Sequence, residues 1–538
     1  MNEHSYDDGE LTADRIKQAA RRSCLRLASA APAQWTELHL EFGGAPFQQI
    51  EGHWTLPDGV HRRWIPVAAD LDALATAIGA LRGWPRTRLE LHLLAAGSFT
   101  VTATRDTTLT HSSLGGIGAA LDPDLHVPAP GDDRPDSTAP PAGDPERAAA
   151  LLRAGVDRRA ELLGHRRELP PPATPEQIAE TEALLGHPLP ADLRALYLVA
   201  DGSGDVLDSI DVFDGPRLLP LAELPGRHAH LAYAMRFNWD NPNEATVQDE
   251  PGPLDAVRRR HHHPAWLPFA TVDDGNYYAV DLAPAEAGRP GQVIEIGRDR
   301  YDGPLYVADS VTTLLARCLD LLDRGCYEID DEDDDLPYLD FTESARDPAG
   351  PPTVLHAETA PDTVPTTLLY AHLTGPAPVL APLAAAPRLR RVTLAARPAD
   401  GLGALRGVAL ESLTAPVAAD DLAPLAGHPQ LAVLDLSDGG GDGPLDLAVL
   451  RTLPALWWLN LTRCRPLDLS VLGELTGLRH LALTLGQWEA LPVLPPGLAS
   501  ARLVDRDVTD EQAAAWAARI GLVPGEPYRV NGRTGNGS

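Results

Sequence analysis

Apolar residues recur along this chain with three different spacings. Near the N-terminus, "ELTADRIKQAARRSCLRLASA" sets Leu11, Ile16, Ala19, Ala20 and Leu27 at helical intervals. "WTELHLEF" then carries Trp35, Leu38, Leu40 and Phe42 as the apolar members of a strand. A second helix is expected at "DLDALATAIGALRG", with Leu71, Leu74, Ala75, Ile78 and Leu81 on one stripe. "TRLELHLLA" and "SFTVTAT" read as two further strands. Together these predict a small α+β unit over 1–106.

The next apolar block begins at "ATPEQIAETEALLGHPLPADLRALYLVADG". Thr174 is an N-cap, Pro175 occupies the first helical position and Gln177 completes a capping box, while Ile178, Thr181 and Leu185 line one face. Behind Pro190, Leu193, Leu196, Tyr197 and Ala200 mark a second helix, which Asp201-Gly202 ends. "WLPFA", "YYAVDL" and "GQVIEIG" are short strands separated by turn residues. "DSVTTLLARCLDLLDRG" closes the block as a helix with Val311, Leu314, Leu315, Cys318 and Leu322 on one side. This predicts a second α+β domain over 149–327.

The third spacing is a repeat. "DLAPLAGHPQLAVLDL", "DLAVLRTLPALWWLNL" and "DLSVLGELTGLRHLAL" each end in L-x-x-L-x-L, at Leu431/Leu434/Leu436, Leu456/Leu459/Leu461 and Leu478/Leu481/Leu483. Weaker copies run from Leu368 to Leu503. No such unit buries its own leucines, but stacked units do, so 363–525 is expected to be a leucine-rich repeat solenoid of α/β type. Cys464 stands where the motif takes Asn or Cys, and "TDEQAAAWAARIG" reads as a helical cap. The chain is therefore multidomain: an α+β unit, a second α+β domain and an α/β solenoid. Pro/Gly/Asp-rich residues 107–148 read as a linker, 328–362 as an acidic linker and 526–538 as a tail. Eight acids fall between Glu328 and Asp340.

Charge narrows the function. The 538 residues include 45 basic and 76 acidic ones, a net −31. Such a field disfavours nucleic acid and anionic membrane and steers basic proteins inward. The four cysteines form no CxxC pair, which suits free thiols. The opening "MNEHSYDDGELTADRIKQ" lacks a secretory pattern, and no run of 18 apolar residues occurs. A cytoplasmic location is the expectation.

The stretch "WLPFATVDDGNYYAVDL" follows "RRRHHHP" and sets acids beside histidines. A metal reading suffers because His261, His262 and His263 are consecutive and diverge, as do Asp273 and Asp274. An acid–base reading needs two carboxylates across a cleft, whereas Asp-Gly and Gly-Asn are turn dipeptides. A hairpin turn is the better reading. No P-loop, GxSxG, HExxH or Cys/His pairing is present, so no enzyme activity, cofactor or metal is expected.

"ATPEQIAETEALLGHPLPADLRALYLVADG", "WLPFATVDDGNYYAVDLAP" and "GQVIEIGRD" occur in order and closely resemble the SUKH superfamily over 165–325. That family includes the fungal cell-wall-assembly regulator and many bacterial immunity proteins. One departure is the turn, "DDGN" where the family usually has a "DGGGN"-like run. The N-terminal block, with Trp35, Trp54, Trp84 and "GSFTV", resembles YezG-like immunity proteins. The resemblances imply non-catalytic protein binding: foremost an immunity protein that neutralises a basic toxin domain of the nuclease or deaminase class, alternatively a regulatory scaffold holding several clients. Candidate contact residues are Asp201 and Asp205 at the end of the helical corner, Trp239 and Asp240 on the polar "FNWDNP" loop, and Trp266, Asp273, Asp274 and Tyr277 around the hairpin, although Trp266 and Tyr277 taken singly are better read as buried structural residues. On the face of the repeats they are Arg391, Asp435, Trp458, Asn460 and His480.

Overall fold

The computed structural model describes residues 4–43, 49–57, 59–62, 68–84, 86–107, 109–111, 116–122, 127–128, 134–204, 213, 215–234, 253–260, 262–300, 303–330, 338–346, 353–439, 444–465, 468–505 and 507–534. They fall into two compact units. One comprises 1–126, 458–462 and 468–538, the other 127–457 and 463–467.

The first unit holds a six-stranded antiparallel sheet. Its order is Tyr528–Arg533, Ser98–Arg105, Thr87–Leu94, Glu37–Gly43, Gln49–Leu56 and Gly59–Arg62. Alternation sends Leu38, Leu40, Phe42, Leu89, Leu91, Leu93 and Val101 to one side. There they pack with Ile16, Ala20, Cys24 and Leu27 of helix His4–Ser29 and with Leu71, Leu74 and Ile78 of helix Ala68–Arg82. The opposite side carries Glu37, His39, Glu41, Glu90 and His92.

Two segments expected to be irregular belong to sheets in this unit. Tyr528–Arg533, placed in a tail by the sequence reading, pairs along its whole length with Ser98–Arg105. Ile117–Ala120, placed in a linker, runs antiparallel to Ser500–Leu503, which lies parallel to His480–Leu483. Gly116 allows this: a Cβ there would sit 2.4 Å from the Leu503 carbonyl oxygen, and its φ is +88°. Helix Asp510–Arg519 starts at a Thr509/Gln512 capping box, and its Trp516 is buried against Trp488 at 5.9 Å.

In the second unit, the helix expected behind Thr174 is Pro175–Leu185, with the reciprocal capping box formed. Ala191–Tyr197 follows after Gly186, which takes the left-handed conformation at φ 74°. A helix at Pro145–Leu163 begins inside the expected linker, capped by Asp144. Five antiparallel strands form one sheet, in the order Leu305–Ala308, Gln292–Gly297, Asn276–Asp281, Trp266–Thr271 and Arg217–Leu218. Helix Val311–Arg324 buries Val311, Leu314, Leu315, Cys318 and Leu322 against this assembly.

The acidic segment contains a hairpin, Tyr327–Asp330 with Tyr338–Phe341. Beyond it come parallel strands in sequence order: Val354–Ala357, Tyr370–Leu373, Arg391–Leu394, Ser412–Val417 and Val433–Asp438. Short 3-10 turns at Ala381–Ala385, Gly403–Gly407 and Ala423–Leu425 separate successive strands after the first pair. The predicted inward leucines, among them Leu389, Leu410, Leu431 and Leu434, are fully buried.

A polar seam joins these strands to residues 253–260. Asp255 accepts two hydrogen bonds from Arg388, each 2.6 Å, and lies 3.0 Å from Arg134. Arg259 pairs with Glu411, which is 3.5 Å from Arg390. Asp255 holds this position at φ 62°, uncommon for a residue with a side chain.

Candidate functional site

The acids of "VDDGN" form a turn. Thr271 Oγ1 donates to the Asn276 carbonyl at 2.8 Å and accepts from the Asp273 amide at 2.9 Å. Asp273 and Gly275 both take positive φ, 60° and 101°. Asp274 accepts from the Asn276 amide at 2.8 Å and from its Nδ2 at 3.0 Å. That same Nδ2 donates to Asp299 at 2.7 Å. Partial burial pushes the Asp274 carboxyl up, but the Asn276 donors outweigh it and hold the group below the usual range.

Asp273 is held by arginines rather than poised as a base. Arg217 Nε donates to it at 2.7 Å and Arg227 Nη2 at 3.1 Å. Glu223 lies 3.6 Å from Arg217 and accepts from Arg227 at 3.1 Å. Two carboxylates and two guanidiniums thus alternate, with the Arg217 side chain only 6% exposed. Arg227 also reaches the Tyr277 hydroxyl at 3.3 Å.

Beside the turn opens a cleft of about 250 Å³, with Val272, Asp274, Asn276 and Asp299 at its lining together with Tyr278, Glu295, Arg300 and Arg346. Glu295 is buried and paired with Arg300 at 2.8 Å and with Arg346. Val272 is half exposed. The result is a polar recess with an apolar lip and two carboxylates, Asp274 and Asp299, beside it.

Several expected contact residues are structural instead. Trp266 is fully buried and Tyr277 is 5% exposed, because strand Trp266–Thr271 is covered on both faces. Asp201 accepts from the Leu221 amide at 2.8 Å and fixes the turn after Leu218. Asp205, Trp239 and Asp240 lie outside the described residues, as does His261. His263 Nδ1 accepts from the Ala265 amide at 3.1 Å, and His262 packs 5.8 Å from His228.

Asp281 sits at the other end of strand Asn276–Asp281, wholly buried, accepting from the Ala283 amide at 2.9 Å and Gln292 Nε2 at 3.0 Å. Burial pushes its carboxyl up to about 7, against the pull of those donors. Complete burial removes it from any substrate.

The repeat positions divide. Arg391 lies over the Tyr370 ring at 4.5 Å and Asp435 accepts from Arg463 at 3.0 Å; both are partly exposed. Asn460 folds its carbonyl onto Thr462, accepting from the amide at 3.0 Å and the hydroxyl at 2.8 Å. Trp458 and His480, expected on an open face, are buried and stack at 5.1 Å. Ala482, Ser500 and Arg502 beside them are buried too, so this part of the face is packed over. Burial, then the Arg502 charge, push His480 down to about 3.

Sequence reading missed Glu295, Asp299, Arg300 and Arg346. Glu295 did leave a signal, a lone charge between Val293-Ile294 and Ile296 in an otherwise apolar strand, which calls for a buried partner.

Residues 172–317, which supply most of this cleft and hairpin, match the SMI1/KNR4 family (SUKH-1). They form a SUKH-1 domain. Fungal relatives agree. The KNR4/SMI1 homolog of Yarrowia lipolytica is 30% identical over 206 residues, 31% of this chain and 29% of that protein. The cell wall biosynthesis/cell cycle regulator smi1 of Schizosaccharomyces pombe is 31% identical over 173 residues, 31% of this chain and 34% of its own length. The cell wall assembly regulator SMI1 of Saccharomyces cerevisiae is 39% identical over 83 residues, covering 15% of this chain and 16% of the relative. The chain thus spans about a third or less of these relatives. A solved internalin from Listeria monocytogenes aligns with 29% of this chain and 46% of its own at 21% identity, with a TM-score of 0.20, too low to carry a structural argument. Among the described residues no helix is long and apolar enough to cross a membrane.

Proposed function

We propose that this chain is a non-catalytic regulatory protein that binds partner proteins, using the SUKH-1 hairpin and cleft as one surface and a leucine-rich repeat array as a second. The observation that carries this reading is the SUKH-1 match together with relatives named as cell-wall and glucan-synthesis regulators. Parallel strands with buried leucines support the repeat reading. The hairpin supports binding over catalysis, since Asp273 is locked by two arginines and Asp281 is sealed from solvent. Of the two functions expected from the sequence, the scaffold is the better supported, because the relatives' names point to regulation and none to toxin neutralisation. The net charge of −31 still favours partners with basic surfaces.

Affinity purification of the full chain with mass spectrometry tests the reading. Several client proteins, whose capture weakens in Asp274→Lys/Asp299→Lys, are expected. A single tight toxin-domain partner would restore the immunity reading, and clients indifferent to both substitutions would move the surface away from the cleft.

A further inference from the structure

The outward face of the six-stranded sheet carries a row of imidazoles that the SUKH-1 domain does not explain. In the antiparallel register, His39 lies directly opposite His53 on one side and His92 on the other. All three sit on the face opposite the leucine core. One step along, Glu41 is opposite Glu90, and His39 Nε2 is 3.9 Å from a carboxylate oxygen of each. His92 is engaged elsewhere, its Nε2 3.0 Å from Glu37.

The His39 and His53 ring centroids are 5.5 Å apart. Two imidazoles that share a tetrahedral zinc at about 2.0–2.1 Å per bond have centroids roughly 5.2 Å apart. The His39–His92 separation is 6.5 Å, too long for a shared tetrahedral metal without movement. Among the described residues no three His, Cys, Asp or Glu side chains already surround a metal-sized space. The preformed element is therefore a pair. Arg88 already holds the Glu41 carboxylate, so a third donor comes from water or from Glu90 turning toward the metal.

We propose that His39 and His53 form a cross-strand clamp for a borderline transition-metal dication such as Zn2+ or Cu2+, with a neighbouring glutamate or water completing the shell. Neutral imidazoles suit these ions, and the Glu90 carboxylate adds favourable charge. Adjacent antiparallel strands fix the two histidines at a short Cα separation, so little conformational freedom is lost on binding. Imidazole binds metal through an unprotonated nitrogen, so binding weakens on acidification.

Calorimetric titration of the metal-free full chain with ZnCl2, repeated with CuCl2 and electron paramagnetic resonance, tests the clamp. His165, which contacts the Leu163 carbonyl in the other unit, provides a control position. The expected result is one binding equivalent lost in both His39→Ala and His53→Ala. The loss in affinity should be at least the roughly 10-fold seen on removing an outer partner of a metal ligand. His165→Ala should bind as the parent does. The copper spectrum should show two nitrogen donors in the parent and one in either variant. Both substitutions lie outside the core, so unchanged circular dichroism melting confirms that folding is intact. Equal binding by the parent and His39→Ala would overturn the proposal, as would loss in His92→Ala with none in His53→Ala.

Discussion

At the scale of single residues, burial decides what a carboxylate does. Asp273 and Asp274 are neighbours, yet one is a structural ion-pair partner and the other stands at the cleft. Asp273→Ala should cost about 1–3 kcal/mol in urea unfolding, because it leaves the nearly buried Arg217 short of a partner. Asp274→Ala should leave that midpoint nearly unchanged. Asp281 makes a pH prediction. Its carboxyl is raised from 3.8 to about 7, so between those values the folded state keeps a proton that the unfolded chain has released. The stability this contributes is full below pH 4 and lost as pH rises through 7. Asp281→Asn removes the titration, so the stability difference between parent and variant should change by a few kcal/mol across that window, an order-of-magnitude figure. An unchanged difference would mean that Asp281 ionises normally. His480 has the opposite sign: pushed down to about 3, it contributes stability above pH 6.5 that is lost on acidification.

At the scale of elements, local rules held where the signal lies within a few residues. The Thr174/Gln177 box formed, and Thr174→Ala is expected to cost about 1 kcal/mol by thermal or urea unfolding. The DDGN turn was legible because Asp, Gly and Asn each serve a known backbone need there. Tyr528–Arg533 was not legible as a strand: its partner, Ser98–Arg105, lies more than 400 residues away and pairs through backbone groups that any sequence supplies. Removing 526–538 should therefore expose the 98–105 edge. Hydrogen exchange of its amides should rise while helix Pro175–Leu185 keeps its protection; unchanged exchange at 98–105 would sink that pairing. An uncovered edge also invites aggregation.

At the scale of the whole molecule, charge and the polar seam matter most. A surface at −31 should bind basic clients faster at low salt, and association rates measured from 50 to 500 mM NaCl should fall steeply. Within the second unit, Asp255 and Arg388 tie the loop at 253–260 to the segment that leads into strand Arg391–Leu394. Arg388→Asp should loosen that tie and speed proteolysis near residue 255; cleavage at the parent's rate would show that the pair does not hold the loop.

The sequence by itself determined the strongly periodic and capped elements, among them Pro175–Leu185, Ala191–Tyr197 and Val311–Arg324, which faces carry the leucines, and that "VDDGN" turns the chain. These follow from spacing, capping and backbone preference, all of which act between near neighbours. Only the tertiary structure decided that Trp458 and His480 are buried, and that Glu295 meets Arg300 and Arg346. It alone brought the last strand to the first sheet and set His39 beside His53. A two-residue period tells which way a side chain points, but what stands opposite it depends on contacts between distant segments.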